Sequence, residues 1–234
     1  VFATDTTGVL IQNPHACRRG HFSVEIADQT DVFFHFHSTF THEDALLKFA
    51  SFEGYVQADA SAVYNALFRN RDGPIEAGCL SHCRRKFFEA VREEKEPALL
   101  AIGYLSTLFA FEREWRGFDH RKRQKLRQEK AKPILEAFFS WCEQERRERG
   151  KDRSLLVRAL GYAMNHQAAL SRYLEDGRLE MTNNRSEREL RRIAVGRKNW
   201  LFVASDETYP EAHAVLASLL ATCQLHGLDG EQYL

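Results

Sequence analysis

With 234 residues, 44% of them hydrophobic and 28% charged, the chain is long enough to bury a substantial core and reads as soluble and globular. No apolar run approaches the ~18 residues of a membrane span, and VFATDTTGVL lacks the basic-then-apolar order of a signal peptide. Thirty-three Lys and Arg balance thirty-three Asp and Glu, so net charge alone does not mark a nucleic-acid binder.

The chain starts without Met and inside an expected strand, as a fragment or processed product would. VFATDTTGVLI is dense in β-branched residues and predicts that first strand. HFSVEIA alternates Phe22, Val24 and Ile26 with Ser23 and Glu25, a half-buried strand whose glutamate points outward. DQTD turns the chain, and VFFHFHS returns as a third strand. Thr41 with Asp44 three residues on opens a helix through Ala45, Leu46, Leu47 and Phe49. GYVQAD predicts a fourth strand and SAVYNALF a second helix. Asp72-Gly73-Pro74 breaks the chain before a fifth strand, PIEAGCL. Three antiparallel strands, then a helix crossing to a fourth strand parallel to the first, make an α/β, ribonuclease H-like mixed sheet (β-β-β-α-β-α-β-α).

From His82 the pattern turns helical: HCRRKFFEAVREE; PALLAIGYLSTLFAFEREW; a basic helix from His120 to about Lys130; ILEAFFSWCEQERRER, opened or kinked by Pro133; and SLLVRALGYAMNHQAALSRYLED, ending at Gly177. This is expected to be a large all-helical insertion. The boundaries read as 1–81 for the first part of the sheet domain, 82–178 for the insertion and 179–234 for the returning C-terminal helices, the last being AHAVLASLLATCQLHG.

Five cysteines without a CxxC fit a reducing compartment rather than a disulfide framework. The cluster CLSHC, Cys79 to Cys83, reads as buried thiols before a zinc site, because no further ligands stand nearby. The basic run Arg121–Lys132 reads as a solvated helix face. Asp28, Asp31, Glu25 and Asp176 read as structural. Asp5, within the first strand, and Asp59, at the end of the fourth, stand where open α/β sheets place their functional crevice. Two carboxylates brought together there repel, and a divalent cation removes that cost. In MTNNRSERELRRIAVGRKNWLF, Asn184 is placed to cap a helix with Glu187 at the third position. Leu190 and Ala194 follow Glu187 at i+3 and i+7, so the glutamate is expected on their inward face, where it needs a partner.

The stretches GYVQADASAVYNALF, CLSHCRRKFFEA, FEREW with RQEKAKPILEAFFSW, and SRYLEDGRLEMTNNRSERELRRIAVGRKNWLF, with the tail from Ala214 to Leu234, resemble the catalytic region of the insertion-sequence-66 transposases, of the DDE type. The resemblance covers nearly the whole chain. It implies DNA strand cleavage and joining with two Mg²⁺ or Mn²⁺ ions, transposon-end and target DNA as partners, and a homo-oligomer at full length. It also implies a cytoplasmic, nucleoid-associated protein without membrane contact. It implies Asp5, Asp59 and Glu187 as catalytic metal ligands, Asp59 matching the acid of a QAD motif and Glu187 that of an NNxxER motif. His82, Arg84, Arg85 and Lys86 match an HxRRKF segment. Arg188, Arg191, Arg197 and Lys198 match the last block, with the basic groups read as phosphate contacts and Trp200 as core. Thr6-Thr7, Ser23, Ala60-Ser61 and Thr182 depart from the family pattern. They leave, as the alternative, a remnant that binds DNA or assembles without catalysis.

Overall fold

The computed structural model describes every residue except 13–15, 29, 50, 59–61, 70–72, 151 and 206–207. The chain divides into two compact units, one of Val1–Glu76 with Asn183–Leu234, the other of Ala77–Thr182.

The first unit holds a mixed sheet. Strands β1 (Phe2–Ile11), β2 (Arg18–Ala27) and β3 (Asp31–His37) form an antiparallel meander, in register from Phe2↔Ala27 to Ile11↔Arg18 and from His21↔His37 to Ala27↔Asp31. Helix α1 (His42–Phe49) then crosses to β4 (Tyr55–Gln57), which runs parallel to β1 at Phe2↔Val56 and Ala3↔Gln57. Helix α2 (Ala62–Asn65), a 3-10 turn (Leu67–Arg69) and β5 (Ile75–Ala77) follow, in the sheet order β3-β2-β1-β4-β5. The single helix expected over SAVYNALF is thus two short pieces that still bury Tyr64 and Leu67. The box at α1 forms as its spacing predicts: the Thr41 N–H donates to Asp44 at 2.7 Å and the Asp44 N–H to Thr41 Oγ1 at 3.3 Å.

Period-two alternation gives the sheet two different faces. Ala3, Val9, Phe22, Val24, Ile26, Val32 and Phe34 share one core with Leu190, Ile193 and Ala214 of two later helices. Phe2 packs in a second core with Ala45, Phe49, Val56 and Tyr64. Thr4 lies on this second face, its hydroxyl 3.0 Å from that of Tyr64.

The second face corrects the reading of Glu25. Its carboxylate does alternate away from Val24, but α1 covers it, leaving 3% of the residue exposed. Burial there requires a counter-charge, and Lys48 of α1 supplies it, donating to Glu25 Oε1 at 2.6 Å and to Ser23 Oγ at 2.9 Å. His35 Nε2 stands 3.2 Å from the second carboxylate oxygen.

The second unit is helical: α3 (Leu80–Ala90), α4 (Lys95–Glu114), α5 (His120–Leu126), a π-turn (Arg127–Ala131), α6 (Lys132–Arg149), α7 (Leu155–Asn165), α8 (Gln167–Ser171) and a 3-10 turn (Arg172–Leu174). The segments 77–81 and 179–182 belong here, because the Gly78 N–H bonds the Ala169 carbonyl and the Leu80 N–H bonds that of Met181. Pro133 opens α6 as expected, standing in its first turn, and the turn before it is widened. Proline would clash with the carbonyl four residues back, and the Lys132 N–H reaches five residues back to Arg127. Arg127 also corrects the reading of the basic run as wholly solvated: it is fully buried, and its neighbours Arg121, Lys125 and Lys130 are exposed.

The chain re-enters the first unit at Asn183 and forms α9 (Asn184–Trp200), β6 (Phe202–Ala204), α10 (Thr208–Leu225) and α11 (Gly230–Tyr233). It leaves α9 through Leu201 with φ 60°, a conformation rare for L side chains. β6 then pairs parallel with the far end of β1 at Leu10↔Phe202. Among the described residues, no helix is long and apolar enough to cross a membrane.

Candidate active site

β1 is the spine of the site. One edge pairs with β2 along its whole length; the other takes β4 at its start and β6 at its end. Asp5 lies opposite Val24, so it shares the face of Ala3 and Val9, the face on which α9 and α10 pack. It is half-buried, and one carboxylate oxygen accepts the Thr6 N–H at 2.7 Å. Asp59 lies outside the described residues. By chain position it stands two residues beyond Gln57, as Asp5 stands two beyond Gln57's partner Ala3.

Glu187 comes from α9, which packs on β1 and β2. The buried stripe of this helix is Ser186, Leu190 and Ile193, with Arg197 continuing it at helical spacing. Glu187 and Ala194 stand on the shoulder of that stripe, both half-buried, rather than at its centre. The expected cap is also displaced by one residue. Asn183, not Asn184, is the N-cap, so Glu187 is the fourth helical residue and its N–H bonds the Asn183 carbonyl at 3.2 Å. Asn183 has φ −86° and ψ 17°, outside the extended conformation from which a cap side chain reaches the next turn, and it makes no side-chain cap bond. Its amide is fully buried, and among the described residues neither Oδ1 nor Nδ2 has a hydrogen-bond partner. Each such orphaned group costs about 1–3 kcal/mol. Sequence reasoning passed over this residue because the next asparagine fits a capping box better.

The basic residues divide by placement. Arg188, Arg191 and Lys198 are exposed on the outward side of α9. Arg197 faces in: its guanidinium donates to Thr7 Oγ1 at 2.9 Å and to the Gly8 carbonyl. It braces α9 on β1 between the β4 and β6 pairings. Trp200 packs against the core beside it, folded back so closely on Gly196 that a Cβ there would meet the indole at 2.6 Å.

In the helical unit, Arg85 is exposed on α3. Arg84 lies over the rings of Phe88 and Phe109, with its NH2 group 3.3 Å from Ser106 Oγ. Lys86 lies over Tyr162, 4.8 Å from the ring centre, and His82 is half-buried. Cys79 and Cys83 are buried, and desolvation holds the Cys83 thiol well above its usual range.

Asp5 and Glu187 stand on elements in contact, β1 and α9, and carboxylate oxygens such as theirs, like the amide oxygen of Asn183, are the ligand type that a hard divalent cation takes. Among the described residues, no three His, Cys, Asp or Glu are grouped to hold a metal by themselves.

Comparison with known proteins adds to this geometry. The Transposase IS66 family model matches residues 1–209. Three curated relatives come from Sinorhizobium fredii (strain NBRC 101917 / NGR234), each called an uncharacterized protein. The chain is 34% identical to y4jD over 192 residues, covering 80% of this chain and 37% of that one. It is 31% identical to y4hP over 201 residues (79% and 36%), and 36% identical to y4qI over 189 residues (77% and 34%). The chain therefore matches about a third of the length of these relatives.

Proposed function

The chain belongs to the IS66 family of transposases, and on that premise we propose that it is the ribonuclease H-like catalytic region of a DDE enzyme that cuts and joins DNA when an insertion sequence moves. One observation carries the reading: Asp5 lies on the face of β1 that α9 covers, and Glu187 stands in the early turns of α9.

In this reading Asp5, Asp59 and Glu187 hold two Mg²⁺ or Mn²⁺ ions through carboxylate oxygens. The ions, when bound, would supply activation of the attacking water or DNA 3′-hydroxyl and charge stabilisation at the leaving oxygen of an in-line displacement. The protein's own part is positioning. The β1–β2 ladder fixes Asp5, and the Arg197 brace fixes α9 and with it Glu187. Arg188, Arg191 and Lys198, exposed on α9, and Arg85, exposed on α3, take phosphate oxygens and orient the DNA without reading its sequence. Arg84, Lys86 and Arg197, occupied by aromatic rings or by β1, support those contacts from behind, and His82 belongs with them. Partners are transposon-end and target DNA, and further copies of the protein in the assembled state.

A strand-transfer assay on element-end DNA with Mg²⁺ tests the reading. Asp59→Asn and Glu187→Gln are expected to abolish both cleavage and joining while DNA affinity persists. Activity equal to wild type in either variant would overturn it. Cleavage without joining in the wild type would reduce the assignment to a metal-dependent nuclease.

A further inference from the structure

Asn183 stands four residues before Glu187, one helical turn away. Side chains at that spacing occupy the same side of a helix. The usual duties of an asparagine in this place are all accounted for elsewhere. Its backbone carbonyl accepts both the Glu187 N–H and, at 2.8 Å, the Ser186 hydroxyl. Its side chain does not cap α9. What remains is a fully buried amide with neither its oxygen nor its nitrogen paired among the described residues. A leucine has the same branched shape without polar atoms to leave unpaired, so shape alone does not call for an asparagine here.

We propose that Asn183 is a metal-ligating residue: its amide oxygen is given to the same divalent cation that the Glu187 carboxylate holds. This rests on the two-metal reading above and extends it to a residue outside the three acids. The chemistry favours a neutral donor at this point. Mg²⁺ and Mn²⁺ take oxygen ligands, six for Mg²⁺. On the two-metal reading the site carries three carboxylates, and a fourth would raise their mutual repulsion in the metal-free protein, a cost that a bound cation offsets. An amide oxygen adds a ligand without adding charge.

The test is Mn²⁺ binding to the whole chain without DNA, followed by calorimetry and by the electron paramagnetic resonance signal of the bound ion. Metal-free thermal stability is measured alongside. Asn183→Leu is expected to weaken Mn²⁺ affinity about tenfold or more, the size of loss typical when a supporting metal contact is removed. The same variant should match or exceed wild-type stability without metal. Asn183→Asp keeps an oxygen donor and is expected to bind Mn²⁺ at least as tightly as wild type, which decides the matter should the leucine variant fail to fold. Wild-type affinity in Asn183→Leu, or weakened affinity in Asn183→Asp, would overturn the proposal and give the amide to a buried water. Loss of Mn²⁺ in Glu187→Gln with no change in either Asn183 variant would leave the two-metal reading standing and remove Asn183 from it. Absence of Mn²⁺ binding in the wild type would remove both.

Discussion

His37 shows how much a single position depends on what covers it. Its ring accepts burial between β2 and α1, with Nε2 3.1 Å from Ser23 Oγ. Burial, then the nearby positive charge of Lys48, then His35 and His21 hold its pKa down at about 4, with Asp44 alone opposing. The unfolded chain takes up this proton near pH 6.5, and the folded chain resists it down to about pH 4. Proton uptake therefore favours unfolding in that window, and stability falls as the pH drops through it. His35, lowered mainly by burial, and His21, lowered by burial and by Arg19, act with the same sign. Thermal midpoints are expected to decline from pH 7 to pH 4.5, and less steeply in His37→Gln. A midpoint flat over that range would contradict this arrangement. None of it is legible in HFSVEIA, because alternation says which residues share a face but not whether a helix lands on it. Glu25 therefore looks like a surface residue until Lys48 arrives above it. Asn183 escapes notice for a related reason: burial of an amide is a tertiary fact, and its neighbour carries the better local signature.

Among the elements, the π-turn between α5 and α6 shows what a charge pattern conceals. Arg121–Lys132 reads as one solvated face, yet the turn directs Arg127 inward. There it forms a two-pronged pair with Glu112, Nε and one NH2 hydrogen each at 2.7 Å. Its other terminal nitrogen donates to the carbonyls of Tyr173 and Asp176 at 2.7 and 2.9 Å. One side chain thus ties α4, the turn and the segment after α8. Arg127→Ala leaves a nearly buried carboxylate and two carbonyls unpaired, and is expected to destabilise the protein by roughly 3–5 kcal/mol in urea unfolding. Arg127→Met with Glu112→Leu should recover only part of this, since the two carbonyls still lack a donor. Full recovery would show that the carbonyl contacts contribute nothing. β1 was plain from its β-branched residues, β2 from alternation and β3 as the return after a turn, and the helical pattern was plain through the second unit. β6 was not: three residues pairing with the end of β1 have no period to read.

For the whole molecule, the balance of charge matters less than its placement. Arg188, Arg191 and Lys198 look outward from α9, and Arg197 looks inward. These neighbours are equivalent by composition but should differ in experiment. Arg191→Ala is expected to lower the slope of log affinity for DNA against log salt by about one, the share of a single phosphate contact. Arg197→Ala should leave the slope unchanged and lower the unfolding midpoint, because its hydrogen bonds go to β1. A slope change in Arg197→Ala without loss of stability would reverse the two roles. The stretch with the strongest motif, NNRSERELRRIAVGRKNWLF, was legible as a unit, but its inward and outward arginines were not distinguishable until α9 was seated on the sheet.

The route of the chain has a consequence for synthesis. The polypeptide leaves the first unit at Glu76 and returns only at Asn183. As it emerges from the ribosome, β1, β2 and β3 are complete while the helices that cover Phe22, Val24, Ile26, Val32 and Phe34 do not yet exist. At typical translation rates the whole helical unit takes on the order of ten seconds to be made. During that interval an apolar sheet face waits for the helices that cover it, so the nascent chain is most open to chaperones, and to aggregation, just before α9 is translated.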